Sequence, residues 1–325
     1  MKRQHAALGI VLASAVLLLS HGAGAQSGFP SKTVKIVVPF PAGGINDVLA
    51  RIVADKLQAR WGQSVIIENK TGAGGNIGAD LAAQAEPNGY TLFIAPPGPL
   101  AINHSLYKQL SYKPEAFVPI TVLGSIPNVI IVRPEIGVSS VKDLIAYAKA
   151  KGGKANYGSQ GNGATPHLNG VWFQNLTGTQ LVHVPYRGEV LVVQDMLGGH
   201  VDMFFGNISA ALSQHREGKL KIIAVLDDKR STLLPDIPTA TEAGLPGFVS
   251  TTWFAAAAPP KTSDALAAEI AKAIIETLKL ADVQEKFRNI GLEPVGNTPA
   301  EMAAFVKSEA QRWREVIVKN AVTLD

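Results

Sequence analysis

Val34-Lys35-Ile36-Val37-Val38-Pro39-Phe40-Pro41-Ala42-Gly43-Gly44-Ile45-Asn46-Asp47-Val48-Leu49-Ala50-Arg51 holds the strand, glycine loop and helix start that set the fold class, in a chain with no internal sequence repeat. Val34 to Phe40 is β-branched and apolar, as a buried strand should be. Pro41-Ala42-Gly43-Gly44 breaks it. Ile45, Val48, Leu49, Ile52, Val53 and Leu57 then recur at spacings of three and four, so one face of a helix is apolar, and Trp61-Gly62 ends that helix. The pattern returns twice. A strand over 65–69 leads through Thr71-Gly72-Ala73-Gly74-Gly75-Asn76-Ile77-Gly78 into a helix reaching about Ala85. Another strand ends at Asn156-Tyr157-Gly158 and enters Ser159-Gln160-Gly161-Asn162-Gly163-Ala164-Thr165. Strand–helix–strand alternation predicts parallel strands with helical crossovers.

Further strands are expected over 90–95, 118–123, 129–132, 181–184, 201–205, 220–225 and within 248–257. Helices are expected over 141–150, 190–197, 263–279 and 299–319. Ser139-Ser140 caps the first of these. Thr165 is expected as the N-cap and Pro166 as the first helical residue of a helix carrying His167, Leu168, Val171, Trp172 and Phe173. The chain therefore reads as two α/β blocks, with a first crossing near Pro127 and a return near Trp253.

The start of the chain predicts export. Lys2 and Arg3 precede an apolar stretch over 6–19, and Ala23-Gly24-Ala25 supplies the small residues of a cleavage site. Cleavage is expected after Ala25, leaving a periplasmic protein. The apolar stretch is short for a span, and the chain has no Cys, so a lipid-anchored start, a disulfide, a thiolate metal site and a Cys nucleophile are all excluded. The net charge of +4 falls by the two basic residues of the leader, Lys2 and Arg3, to +2. No Lys/Arg run exists, so nucleic acid is not an expected partner.

The three glycine-rich loops, 41–47, 71–78 and 158–165, each join a strand end to a helix start. Backbone N–H groups there lack helical partners and favour anions. Together the loops could cradle a carboxylate or phosphate. Rival readings fail on residues. Gly72, Gly74 and Gly78 miss the strict dinucleotide pattern, because Ile77 holds its sixth place and no acid follows at the right distance. No loop ends in the Gly-Lys-Ser/Thr of a P-loop. Tyr157-Gly158-Ser159-Gln160-Gly161 is a defective nucleophile elbow, whose only conceivable triad would add Asp202 and His215. His104, His167, His183, His200 and His215 form no ligand spacing, so no metal or cofactor is expected. Core or surface roles are expected for them, although His167 could face the cleft. Asp47 has two readings: an acid favoured in a helix's first turn, or a group that orients water or accepts from a ligand.

Taken together, these segments resemble the substrate-binding proteins of tripartite tricarboxylate transporters, the Bug family. The resemblance spans the mature chain. It is carried by 38–44 with Asp47, Ala50 and Arg51, by 68–78, by Pro87-Asn88-Gly89-Tyr90-Thr91-Leu92, by Asn156-Tyr157-Gly158-Ser159 with His167-Leu168, by His183-Val184-Pro185-Tyr186-Arg187-Gly188, by 197–202 and by Leu234-Pro235-Asp236-Ile237-Pro238-Thr239. It implies a two-lobed periplasmic-binding-protein fold, type II-like, each lobe a mainly parallel sheet flanked by helices. Lobe 1 would be 26–127 plus 254–325, and lobe 2 would be 128–253. It also implies capture of a small organic carboxylate, membrane transporter subunits as partners, a monomer, and no catalysis. In lobe 1 the site would comprise Ala42, Gly43, Gly44, Asn46, Asp47, Ala73, Gly74, Gly75 and Asn76. In lobe 2 it would comprise Ser159, Thr165, His167, Gly206 and Asn207.

The chain departs from the family in lobe 2. Gly206 stands where an Asp is usual, Ala164 replaces the common Thr, and Glu189-Val190-Leu191-Val192-Val193 replaces a smaller stretch. An acceptor for a ligand amino group is thereby lost, which favours a di- or aromatic carboxylate. Two alternatives stay open: a sensor that presents the closed form to a signalling receptor, and a hydrolase using Ser159.

Overall fold

The computed structural model describes residues 28–319 and 322–324. The expected leader and its cleavage site therefore lie outside the described residues, and everything below belongs to the compact unit Lys32–Asp325. The unit opens with strand β1 (Val34–Val38), helix α1 (Ile45–Trp61) and strand β2 (Val65–Asn69). Helix α2 (Asn76–Ala83) and strand β3 (Thr91–Ala95) follow, then a π turn over Gly98–Ile102 and the short helix α3 (Asn103–Leu106). Strand β4 (Val118–Val132) leads to helix α4 (Val141–Ala150), strand β5 (Asn156–Ser159), helix α5 (Thr165–Thr177) and strand β6 (Val182–Pro185). Next come helix α6 (Glu189–Leu197), strand β7 (Met203–Phe204), helix α7 (Ile208–Arg216), strand β8 (Lys221–Leu226) and strand β9 (Thr251–Ala258). Helix α8 (Asp264–Leu278), helix α9 (Ala281–Asn289), strand β10 (Glu293–Pro294) and helix α10 (Pro299–Lys319) finish the chain.

β1 lies between β2 and β3, parallel to both. β5 likewise lies between β6 and β7, parallel to both. These two parallel trios are the expected crossover units. Antiparallel strands join them. β9 pairs with β3 and with the first two-thirds of β4, while the last third of β4 pairs with β8 and β7. The result is one curled mixed sheet in two halves.

β4 is continuous where two strands, 118–123 and 129–132, are expected. Pro127 lies opposite Thr251, and Asn128 N–H already reaches Ser250 O at 3.1 Å. The Asn128 amide adds bonds to Ser250 O and Oγ. The residue with no N–H thus sits where the ladder changes partner, so the strand survives it. α9 is a helix that periodicity does not announce. Only Val283 and Phe287 are buried along it, one turn apart in a charged sequence.

Two apolar clusters fill the halves. One gathers Val37, Phe93, Val122 and Trp253; the other gathers Ile130, Tyr157, Phe173, Phe205 and Phe248. Each such fully buried aromatic contributes on the order of 2–3 kcal/mol. A third cluster is shared: Trp313 and Ile317 of α10 pack on Ile102 and Leu106 from the first half and Leu168 from the second. Among the described residues no helix is long and apolar enough to cross a membrane.

Candidate ligand-binding cleft

The first loop is braced from inside. Gly44 is the N-cap of α1 and offers no side chain, so Asp47, three residues on, folds back and accepts Gly43 N–H at 3.0 Å. Arg51 Nε donates to the same oxygen at 2.9 Å, and Asn69 Nδ2 donates to the other at 3.0 Å. Asn69 also holds Phe40 O at 2.9 Å. Burial alone would raise the Asp47 carboxyl. The bonds from Arg51, Gly43 and Asn69 outweigh it and hold the group below the usual carboxylate range. Of the two readings of Asp47, the geometry gives it the capping one. Asp47→Ala is expected to cost about 1–2 kcal/mol of stability and to weaken ligand binding by loosening loop 41–47. Chemical denaturation and calorimetry on one preparation check both, and unchanged affinity with the full stability loss would detach this loop from the site.

The second loop is a run of positive φ: Gly72 at 123°, Ala73 at 48°, Gly74 at 63° and Gly75 at 93°. Gly74 also needs its small size. A Cβ there would stand 2.8 Å from Asn162 O and 2.9 Å from the Tyr107 hydroxyl. Asn162 belongs to the loop after β5, so Gly74 closely faces the other half. Asn76 Oδ1 accepts from Asn103 Nδ2 and from the Tyr112 hydroxyl, which pins the loop.

The third loop corrects the expected cap. The N-cap of α5 is Ala164, not Thr165, which is the first helical residue. No hydroxyl caps this end because the His167 ring does the work: its Nδ1 accepts Gly163 N–H at 3.1 Å. His167 is buried and stacks on His183 with ring centroids 4.1 Å apart. Burial lowers His167 to about 4 and, with the His167 charge, lowers His183 to about 3, so both rings are neutral near pH 7. Ser159 Oγ donates to Gly161 O at 2.9 Å and stands 2.7 Å from His183 Nε2. With its proton on Gly161 O, Ser159 Oγ would accept from His183 Nε2 in the tautomer that carries the proton there. The conceivable partners Asp202 and His215 are committed elsewhere, to Arg133 at 2.7 Å and to Ile222 N–H at 3.1 Å. No group of three or more His, Cys, Asp or Glu could hold a metal among the described residues.

Gly206 lies just past β7 and is hemmed in by the Phe204 side chain. A Cβ at that position would stand 2.1 Å from the Phe204 ring, so an acid there would need that ring to move. Asn207 next to it is fully buried, and its Nδ2 donates to Glu189 Oε2 at 3.0 Å. The other oxygen of Glu189 accepts Ile45 N–H at 3.2 Å, from the start of α1 in the opposite half. Glu189 is the site residue that sequence reasoning misses as a contact. Its only local signal is an acid in the first turn of α6.

Three adjoining cavities line this cleft. One of about 400 Å³ lies between Gly43, Ile45, Glu189 and Ser209. One of about 280 Å³ is walled by Phe40, Ala42, Asn46, Gln160, Glu189 and Phe254. One of about 270 Å³ lies under Gly72, Gly74, Gly75, Tyr107, Gln160 and Arg187. The structure thus brings Ala42, Gly43, Gly44, Asn46, Ala73, Gly74 and Gly75 to the cavity walls. Asp47, Asn76, Ser159, Thr165, His167, Gly206 and Asn207 are not among the residues that line these three.

A family model described as the tripartite tricarboxylate transporter family receptor matches residues 49–322. Protein BugT of Bordetella pertussis is 36% identical over 326 residues, covering 100% of this chain and 99% of its own. Among solved structures, R. palustris Rpa4515 with adipate is similar at a TM-score of 0.88 and 34% identity, over 91% of this chain and 99% of that one. MatC from Rhodopseudomonas palustris with bound malate is similar at 0.84 and 30%, over 89% of this chain and 100% of that one.

Proposed function

The chain belongs to the tripartite tricarboxylate transporter receptor family, and from that premise we propose that it captures a small organic carboxylate in the cleft and delivers it to membrane subunits of such a transporter. The observation that carries the reading is the second loop. Gly72, Gly74 and Gly75 wall a cavity with Arg187, directly opposite Asn162 of the other half. Backbone at that helix start favours a carboxylate, and a group held there touches both halves at once. The adipate and malate in the two similar structures support the same class of ligand.

The working parts follow. Lobe 1 comprises 26–127 plus 254–325, and lobe 2 comprises 128–253, hinged where β4 changes partner. Ligand contacts both lobes only when they close, so binding shifts the population toward the closed form. The protein acts in the periplasm after cleavage at Ala25, by binding alone. Asp47, Asn76 and His167 shape the loops, while 42–46 and 73–75 meet the ligand.

A thermal-shift screen against a carboxylate panel containing adipate and malate tests this. A ligand at 100 times its dissociation constant is expected to stabilise the fold by about 2.7 kcal/mol. A panel in which no carboxylate moves the midpoint, with calorimetry confirming no heat of binding, rejects the function.

A further inference from the structure

Glu189 puts a carboxylate into the cleft with no cation to meet it. Its two oxygens accept from Ile45 N–H and Asn207 Nδ2, at 3.2 and 3.0 Å. The two cavities that it borders, about 400 and 280 Å³, contain no Lys, Arg or His in their walls. Glu189 is half-buried, and the partial loss of water around it pushes its carboxyl up from the ordinary value.

Asn46, on the wall of one of these cavities, adds no donor to meet that carboxylate. Asn46 is buried at 3% exposure, and its Nδ2 is committed to Ile94 O at 3.1 Å. That bond fixes the amide, so Oδ1 is the free end, and it is buried without a partner. Asn46 lines the same cavity as Glu189. Gln160, on the wall shared with the cavity under Gly74, has an amide that can present either end. The remaining walls are apolar: Phe40, Pro96, Val190, Leu191 and Phe254. Gly206 offers no acceptor for an amino group, but Glu189, bonded to the very next residue, does.

A ligand whose carboxylate lies under Gly72, Gly74 and Gly75 therefore extends past Phe40 and Gln160 into a chamber of acceptors. A second carboxylate there would face like charge and gain few donors. An ammonium would neutralise the Glu189 carboxylate, which lines both cavities. Resting on the carboxylate-capture reading above, we propose that the ligand is an aminocarboxylate with an apolar middle, and that Glu189 is the residue that selects the amino end over a second carboxylate.

The test is isothermal titration calorimetry on the mature protein at pH 7 with length-matched pairs: adipate against ω-aminohexanoate, and glutarate against ω-aminopentanoate. The amino member of at least one pair is expected to bind about tenfold or more tighter. Glu189→Gln and Glu189→Ala are both expected to erase that preference, with thermal midpoints recorded so that a fold defect is separated from a change of choice. A preference that persists in both folded variants removes Glu189 from the selection. A wild-type protein that binds the dicarboxylates as well as or better than their amino partners overturns the inference and leaves carboxylate capture standing. A protein that binds neither these four nor any other carboxylate of the panel overturns the capture reading itself.

Discussion

Gly74→Val is expected to weaken binding of the tightest carboxylate from the screen by at least about 100-fold, a loss of roughly 2.7 kcal/mol, while leaving a folded protein. Two terms act on this residue. Its φ of 63° is left-handed, which costs an L side chain about 1–2 kcal/mol, and a β-branched residue adapts poorly. That strain lowers stability but does not touch the ligand. The second term does. The new Cβ would stand 2.8 Å from Asn162 O. The opposing atom is backbone, so relief requires loop 158–165 to back away and the two halves to part. Apparent affinity falls in proportion to the closed fraction, so hindering closure multiplies directly into the dissociation constant. Gly137→Val separates the terms, because Gly137 has a φ of 72° and nothing within 4 Å of a Cβ. It should show the stability loss with binding intact. Calorimetry that finds Gly74→Val within threefold of wild type would remove this loop from the site.

The parts of this fold that could be read from sequence are the ones whose causes are local. Helix α1 starts at Ile45 and ends at Trp61 because an apolar stripe begins after Gly44 and stops at Gly62, whose φ is 64°. The glycine loops were legible for the same reason, since a strand end, a left-handed run and a helix start lie within a few residues. What escaped depends on partners far along the chain. Pro127 looks like a strand breaker until Ser250 takes over the ladder at Asn128. Thr165 looks like a cap until the His167 ring serves Gly163 instead. Ser159 finds His183 rather than Asp202 or His215 because β5 and β6 are adjacent and in register, Tyr157 opposite His183. Gly206 reads as a lost acid, yet the Phe204 ring, invisible to any local spacing, already fills the space a side chain there would enter. Glu189 is the extreme case. It meets Ile45 across 144 residues, a contact with no trace in any local spacing.

The stacked pair His167 and His183 is expected to make the protein acid-sensitive in a window set by their own values. Both are lowered from 6.5, to about 4 and about 3, by burial and, for His183, by the neighbouring His167 charge. Their surroundings supply no compensating acid: the rings meet each other, the Tyr157 ring at 5.0 Å, the Ser159 hydroxyl and Gly163 N–H. The unfolded chain therefore binds protons that the native state refuses. A lowered folded value means stability that is present above the unfolded value and lost as pH falls toward the folded one. For His167 alone, from 6.5 to about 4, the loss is about 2 kcal/mol by pH 5 and about 3 kcal/mol by pH 4. Glu189 works in the opposite sense. Its raised carboxyl relieves a penalty as it protonates, so it offsets part of the acid loss near its own titration. Asp47 adds to the loss, but only at lower pH, where its Arg51 and Asn69 bonds fail. The thermal midpoint should consequently fall by several degrees between pH 7 and pH 5, before most carboxylates titrate. Replacing both rings with amides, His167→Gln with His183→Gln, should flatten that limb while lowering the plateau. A wild-type midpoint that is constant from pH 7 to pH 5, or a double variant with the same slope, would mean that the two rings accept protons inside the fold at little cost.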